Sequence, residues 1–412
     1  MKGAKLNTMS EQTKNYEQRL EKNIVKYSWY KIFTKRVYLP LITIQLVNVG
    51  KVTLEELAII VVISSIVQAV LQMPAGYIAD KIGNRKSIIL GASIAVTSPL
   101  FYAFMPNFWG GLIASVLFFG GYAFQSGAIE AFMHDTLIAL NREKDYAKVM
   151  GRAQTYGLVG NIILIALIPA TYPINHALPF IIGFFSLLVM LWLTFSFEHP
   201  KARETTVTKK NPFLAIKSIV NAENVMLFIF SGFLAGVSNK GGEFRELLFQ
   251  HVGIAVALFG IILALASLAG AIMGWFVHIL DRMKALSFYL FDLLVMTGCL
   301  VLMGATSNPI VAVIAFTLFA AYTRVRMIIF QAKMLHEIKH AYKATLISAL
   351  NLFTLLGDII AITLLTKFVT DKGYLFGYVL FGGAIFAIGI ILWLLMVLEA
   401  NNRRKKQALA EA

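Results

Sequence analysis

Several ionisable side chains lie inside long apolar stretches of this sequence, where charge is costly. An ionisable group at membrane depth costs about 2.5–3.5 kcal/mol on insertion scales, so it usually faces a polar cavity or a charged partner. In such places carboxylates and imidazoles can exchange protons, and guanidinium groups can bind anions. The candidate residues are Glu130, His134, Asp135, Lys240, Glu243, Arg324 and Arg326, together with the amide of Gln72.

Glu130 and His134 are four residues apart, which places both on one face of a helix, and Asp135 follows directly. Glu130 and His134 could form a proton-sensitive pair, because an imidazole titrates near neutral pH. Alternatively, they anchor a gate at the end of the helix by pairing with basic side chains such as Lys81, Arg85 or Arg152.

Arg324 and Arg326 are two residues apart, so on a helix they point to nearly opposite faces. At most one of them can therefore line a central path. That arginine could bind an anionic substrate or bridge to an acid such as Glu130. Alternatively, the arginines form structural ion pairs within the C-terminal half of the chain.

The segment Lys240-Gly241-Gly242-Glu243 predicts a break in a helix, because each glycine weakens a helix by about 1 kcal/mol. Lys240 can pair with Glu243 at a spacing of three residues. The segment is then an outer gate or a coupling site, or else the helix ends there and the charges are solvated. Gln72 is a ligand contact or an interhelical hydrogen-bonding group.

The composition indicates that these residues are positioned by membrane helices. The chain has 412 residues, of which 58% are hydrophobic and 14% are charged, whereas soluble domains carry about a quarter charged residues. The single cysteine, Cys299, excludes an intrachain disulfide and indicates no metal cluster. The net charge of +15 does not indicate nucleic-acid binding, because the basic residues fall in alternate loops.

Stretches of about 20 mostly apolar residues predict membrane spans. We predict an all-α polytopic membrane protein with twelve transmembrane helices. The predicted spans are residues 30–50, 54–80, 86–105, 109–136, 147–171, 176–198, 223–248, 252–280, 285–305, 309–332, 344–367 and 374–398.

The positive-inside rule gives the orientation. Basic residues concentrate in the two termini and in alternate loops, whereas the opposite loops carry little beyond Lys51, Lys367 and Lys372. Both termini are therefore predicted to be cytosolic, in a multi-pass protein of the cytoplasmic membrane. The predicted parts are a cytosolic segment 1–28, a six-helix bundle 29–198, a linker with an amphipathic helix 199–222, a second bundle 223–398 and a cytosolic tail 399–412.

The two halves of the chain read as diverged copies. Phe119-Gly120-Gly121-Tyr122 matches Phe319-Ala320-Ala321-Tyr322, and Gly160-Asn161-Ile162 matches Gly357-Asp358-Ile359. The two offsets are nearly equal, and each match falls in equivalent predicted helices. Parallel repeats of this kind predict two pseudo-symmetric bundles.

A short basic hairpin separates the second and third predicted spans. It runs from Gly76 to Lys86 with the pattern Gly-x-x-x-Asp-Lys-x-Gly-x-Arg-Lys. Gly83 allows the backbone to reverse where a side chain would clash. The residues that fix the pattern are Gly76, Asp80, Lys81, Gly83, Arg85 and Lys86.

This hairpin resembles the loop between helices 2 and 3 of the major facilitator superfamily of secondary transporters. The resemblance implies two six-helix bundles, alternating access around a central site, and a gating role for the hairpin. It also implies that Asp80 docks at the start of the eleventh predicted span, near Ala344. The fifth predicted span, residues 147–171, lacks the Gly-Pro step that is typical of the drug–proton antiporters in this family.

No phosphate-binding loop, nucleophile elbow or zinc motif is present in the sequence, so we expect neither an enzyme nor a cofactor. The expected function is secondary transport of a small molecule by a monomer in the bilayer, as proton-coupled export. The alternatives are uptake of a polar or anionic metabolite and, from another class, a membrane scaffold or sensor that transports nothing.

Overall fold

The computed structural model describes residues 2–200, 225–337 and 343–411, and the regular structure in these residues is helical. Most of the predicted linker 199–222 therefore lies outside the described residues. Fifteen α-helices have five or more residues, within the described ranges. They are α1 (Lys2–Phe33), α2 (Leu54–Ile82), α3 (Asn84–Ala95), α4 (Ser98–Phe104), α5 (Phe108–Ala139), α6 (Tyr146–Leu167), α7 (Leu178–Ser196), α8 (Val225–Lys240), α9 (Arg245–His251), α10 (Phe259–Met273), α11 (Val277–Asp281), α12 (Ala285–Gly304), α13 (Pro309–Glu337), α14 (Lys343–Lys372) and α15 (Tyr374–Glu411).

Ten helical stretches of the described chain are long and apolar enough to cross a membrane. Some of them join two helices, as α3 and α4 do in the stretch Asn84–Phe104. Two shorter apolar helices, Leu39–Val49 and Met226–Lys240, fall in the two remaining predicted spans, residues 30–50 and 223–248. Both of those spans are interrupted.

The prediction of a continuous first helix over residues 30–50 is wrong. The helix α1 ends at Phe33, and helical structure resumes at Leu39 as a 3₁₀ turn that leads into a π-helix, Gln45–Val49. Pro40 explains the interruption, because it lacks a backbone N–H and its ring disfavours the helical conformation of the preceding residue. Gln45 is buried in the π-helix, where its amide donates to the carbonyl of Tyr102 at 3.0 Å.

The predicted break at Gly241 and Gly242 is confirmed. The helix α8 ends at Lys240, and α9 begins at Arg245 after four residues of turn. The seven-residue α9 then continues to His251.

Local signals at two helix starts explain where those helices begin. Thr53 and Glu56 form a capping box at the start of α2: the Thr53 N–H donates to Glu56 Oε2 at 2.9 Å, and the Glu56 N–H donates to Thr53 Oγ1 at 3.2 Å. Asn107 caps α5, since its Oδ1 accepts from the Gly110 N–H at 3.0 Å.

Contacts divide the described chain into two compact units. The first unit holds the residues up to Val52 and residues 63–200. In it α1 packs on α6 and α7, and α3 packs on α5. Its aromatic core includes Tyr27, Tyr30, Phe132 and Phe197, all nearly excluded from solvent.

The second unit holds Thr53–Val62 and the described residues from 225 onward. In it α8 packs on α14, α12 packs on α15, and α10 packs on α13. The indole N–H of Trp393 donates to the carbonyl of Leu286 at 2.9 Å, which joins α15 to α12.

Candidate functional site

The hairpin between α2 and α3 reverses at Gly83, as predicted. Gly83 has φ of 92° and ψ of 145°, a conformation that only glycine adopts readily. Asp80, Lys81 and Lys86 are exposed around this turn, and Gly76 is exposed on α2.

Two side chains of the hairpin bind it to other helices of the first unit. Asn84 Nδ2 donates to Asp135 Oδ2 at 3.1 Å, which joins the hairpin to α5. Arg85 Nη2 donates to the carbonyl of Phe195 at 2.7 Å, which joins it to α7. Asp135 therefore holds the hairpin in this conformation. The predicted docking of Asp80 near Ala344 concerns a side-chain environment that lies outside the described residues.

Several positive charges lie close together where α1 passes near this hairpin, namely those of Lys22, Lys26 and Arg85. Lys26 Nζ donates to the carbonyl of Ser196 at the end of α7. Burial lowers the pKa of the Lys26 amine below its usual range; Glu198 opposes this shift, while Lys22 and Arg85 add to it.

The two glycines of the hairpin pattern, Gly76 and Gly83, should respond differently to substitution by alanine. Gly83→Ala is expected to destabilise the protein by about 1–3 kcal/mol, because alanine is strained at this φ. Gly76→Ala is the matched control: an added Cβ meets nothing within 4 Å, and alanine favours a helix by about 0.5–1 kcal/mol. Thermal unfolding followed by circular dichroism measures both. Equal melting temperatures for the two variants would contradict the assignment of the turn to Gly83.

Glu130 lies on α5 among hydroxyl groups and one amine. Its carboxylate is exposed and acts electrostatically on Lys31 and Tyr27 of α1, on Tyr122 of α5 and on Tyr146 of α6. The charge of this carboxylate therefore acts on side chains of three helices.

The predicted pairing of Glu130 with His134 is not what the structure shows. His134 Nε2 lies 3.6 Å from Glu143 Oε1, and its ring packs edge-on against Tyr146. Glu143 belongs to the short 3₁₀ turn before α6, which folds back beside the end of α5. His134 therefore contacts Glu143, from the loop after its helix, instead of Glu130, which lies four residues earlier on the same helix.

Arg326 is paired inside the second unit. Its guanidinium binds Asp292 of α12 through two parallel hydrogen bonds, Nε to Oδ1 and Nη2 to Oδ2, each 2.7 Å. The side chains of Arg326 and Asp292 are 1% and 0% exposed. Tyr322, one turn earlier on α13, lies beside this pair. Arg326 is therefore a structural ion-pair partner, which is one of the two predicted roles.

Arg324 lies on a different face of α13, as its spacing from Arg326 predicts. It is exposed, and its Nη2 donates to Ser267 Oγ of α10 at 3.0 Å. No carboxylate lies within ion-pair distance of Arg324 in the described part of the chain. Its positive charge is thus not neutralised by a described carboxylate.

The turn between α8 and α9 is linked to α14. Asn239 Nδ2 donates to Asp358 Oδ1 at 3.0 Å, and both Lys240 and Glu243 act electrostatically on Asp358. The possible ion pair between Lys240 and Glu243 is not among the ion pairs of the described residues. The turn breaks the helical spacing that the prediction assumed.

The most buried acid near this turn is Glu246, which was not among the site residues predicted from the sequence. Glu246 is 1% exposed, and its Oε1 lies 2.5 Å from Arg245 Nη2. Neither of its carboxylate oxygens accepts a hydrogen bond of regular geometry from a described group. Arg245 also donates to the carbonyl of Gly242 at 2.8 Å and lies over the ring of Phe316. The apolar run Leu247-Leu248-Phe249 directly after Glu246 was the available signal.

Gln72 is exposed on α2 and stands apart from these clusters. Among the described residues, no group of three His, Cys, Asp or Glu side chains could hold a metal ion. The chemistry of the described site is therefore that of carboxylates, hydroxyls and cations.

Comparison with known proteins agrees with this arrangement. A family model described as Major Facilitator Superfamily matches residues 31–362. A search of curated proteins finds no match to the sequence.

Several solved structures share the fold. A mutant of the nucleoside transporter NupG has a TM-score of 0.75 and 12% identity, over 92% of this chain and 99% of that chain. The POT family transporter PepTSo has a TM-score of 0.68 and 14% identity, over 94% and 98%. A bacterial homolog of the human lysosomal transporter Spinster, inward-facing and unoccupied, has a TM-score of 0.66 and 14% identity, over 93% and 96%.

At these identities the solved structures indicate the fold and nothing more specific. The family model, however, covers most of the chain. This chain therefore belongs to the Major Facilitator Superfamily and is a multi-pass membrane transporter, not an enzyme.

Proposed function

We propose that this protein is a proton-coupled exporter of a small amphipathic molecule. It works as a monomer in the cytoplasmic membrane, with twelve spans in two six-helix bundles and both termini in the cytosol. Ten long apolar stretches, and two shorter apolar helices that fall in the two remaining predicted spans, support this count of twelve. The distribution of basic residues supports the orientation. Transport then proceeds by alternating access, in which the bundles rock around a midplane site.

The observation that carries proton coupling is the buried carboxylate of Glu246. It lies directly after a broken helix, and discontinuous helices form the substrate and ion sites of many secondary transporters. Arg245 is the one cation within ion-pair distance among the described residues. A rearrangement that moves Arg245 leaves the carboxylate either charged without a partner or protonated, and this links the conformation to proton binding.

Two arginines support an apolar substrate rather than an anion. In the first unit, the Arg36 guanidinium lies over the rings of Phe118 and Phe119, at 4.6 and 4.9 Å from their centres. In the second unit, Asp292 neutralises Arg326. Arg326 is therefore not available to bind a substrate anion, and Arg36 lies against aromatic rings, which are the surfaces that amphipathic molecules bind.

Flux in proteoliposomes tests the proposal. Lipophilic dyes and labelled organic anions are compared side by side under an imposed pH gradient, with protein-free liposomes as the control. We expect a dye to move against its gradient and the movement to stop when an uncoupler collapses the pH difference. Movement of dye that ignores the pH gradient contradicts proton coupling. If neither probe moves, the proposal of an amphipathic substrate fails.

Uptake of an anionic metabolite is the second candidate, and Arg324 favours it. Arg324 is exposed and has no carboxylate within ion-pair distance in the described residues. If an anion accumulates in the same assay and Arg324→Ala abolishes the accumulation, uptake replaces export as the function.

A further inference from the structure

A groove runs along the first unit between α1 and α6. Its volume is about 920 Å³. The helices approach each other most closely where Gly157 and Gly160 of α6 meet Lys31 and Ile32 of α1; an added Cβ there would lie within 3.0 Å of these two residues. From this contact the groove extends toward the start of both helices.

The wall of the groove changes from apolar to basic along its length. Near the glycine contact it is apolar, and four large side chains there are more than half exposed: Val25, Trp29, Tyr156 and Val159. At the other end it carries four cations, Lys22, Arg142, Lys148 and Arg152. On both helices the basic residues come before the apolar ones, so the two helices present the same order.

The length of the groove matches one leaflet of a bilayer when α1 enters that leaflet at Lys22, and not after the predicted cytosolic segment 1–28. Lys22 and Ile32 are ten residues apart on α1, which corresponds to about 15 Å along a helix. One leaflet contributes about half of a hydrocarbon core that is about 30 Å thick. Trp29 and Tyr156 have the amphipathic rings that are enriched at the membrane–water interface. A lipid therefore matches the groove in both length and polarity.

The charge of the basic end selects an anionic headgroup. Arg142 is already engaged by Asp145 at 2.9 Å and by Glu21 at 3.9 Å. Lys22, Lys148 and Arg152 have no carboxylate within 4.0 Å in the part of the chain that is described. Three uncompensated cations converge on one end of an apolar groove, which is the pattern that binds anionic lipids.

We propose that this groove binds an anionic phospholipid of the cytoplasmic leaflet. The headgroup phosphate binds Lys22, Lys148 and Arg152, and an acyl chain lies against Trp29 and Val159. The lipid bridges α1 and α6 below the glycine contact. It therefore stabilises the position of α1, whose break at residues 34–38 leads into the π-helix.

Binding of fluorescent phosphatidylglycerol to the detergent-solubilised full chain tests this proposal. Each cation near an anionic surface contributes about fivefold to binding, so Lys148→Gln/Arg152→Gln is expected to bind about thirtyfold more weakly. The matched control is Lys86→Gln/Lys144→Gln, which removes the same charge from exposed residues outside the groove. The control variant should bind phosphatidylglycerol as tightly as the wild type does.

Three results would overturn the proposal. Equal loss of binding in the two double variants indicates general attraction to a basic surface. Equal binding of fluorescent phosphatidylcholine removes the requirement for an anionic headgroup. Displacement by millimolar inorganic phosphate, together with unchanged binding after Trp29→Ser/Val159→Ser, indicates a site for a free anion instead of a lipid. Thermal unfolding without lipid verifies that each variant is folded.

Discussion

Arg326→Met is expected to destabilise the protein by about 3–5 kcal/mol, because it leaves Asp292 buried without its partner. Both side chains are almost fully excluded from solvent, and two hydrogen bonds join them. No second described cation lies within ion-pair distance of this buried carboxylate. Removing one partner therefore costs far more than the net contribution of the pair itself.

The only cysteine makes this effect measurable. Cys299 is partly buried on α12, two turns after Asp292, so a thiol-reactive dye labels it as α12 unpacks. We expect labelling of Arg326→Met at a clearly lower temperature than labelling of the wild type. Arg324→Met is the matched control, since Arg324 is exposed and has no buried carboxylate as partner. It should shift the labelling temperature little.

A double variant separates the missing charge from the missing packing. In Asp292→Leu/Arg326→Met both charges are replaced by apolar groups, and such replacements are often neutral or stabilising. We expect it to recover most of the stability that Arg326→Met loses. A double variant as unstable as the single variant would show that the packing of the arginine, and not the unpaired Asp292, is responsible.

Local features of this fold could be predicted from the sequence because their causes are local. The turn at Gly83 follows from one glycine between two apolar runs, and the break after Lys240 follows from two adjacent glycines. The interruption before Leu39 was also encoded locally, by Pro40, but the apolar composition of residues 30–50 concealed it. Length and hydropathy locate a span and do not test its continuity.

The partners of the charged residues could not be predicted, because they come from distant segments. Helical spacing predicted that Arg324 and Arg326 face apart, but Asp292 lies 34 positions earlier. The same spacing favoured Glu130 for His134, and a loop brings Glu143 there instead. Periodicity gives the face of a side chain, and the tertiary fold decides which group it meets.

Glu246 illustrates the same limit within one segment. The sequence places Glu243 and Glu246 on either side of Arg245 with similar neighbours. The two residues differ in burial because α9 begins at Arg245. Glu243 lies in the turn before α9 and is partly exposed, whereas Glu246 lies within α9 and is buried. The candidate coupling residue therefore moves from the predicted Glu243 to Glu246.

Glu246→Gln is expected to reduce transport driven by a pH gradient about tenfold or more, a loss of about 1.4 kcal/mol or more in transition-state terms. Glutamine has the shape of protonated glutamate but cannot release a proton. The variant should therefore exchange substrate across a membrane without a gradient, while a pH gradient no longer drives accumulation. Proteoliposomes measure both activities in one preparation, as counterflow and as gradient-driven flux.

Glu243→Gln is the matched control, because it makes the same chemical change three residues earlier in the turn. We expect it to retain gradient-driven flux, since the Glu243 side chain is partly exposed while that of Glu246 is buried. If Glu243→Gln uncouples transport and Glu246→Gln does not, proton coupling resides in the turn and burial is not its basis. If Glu246→Gln abolishes counterflow as well, the carboxylate is needed for the conformational change or for substrate binding, and the proton must bind elsewhere. Glu130 is then the next group to test, because its exposed carboxylate already acts on Lys31 and three tyrosines.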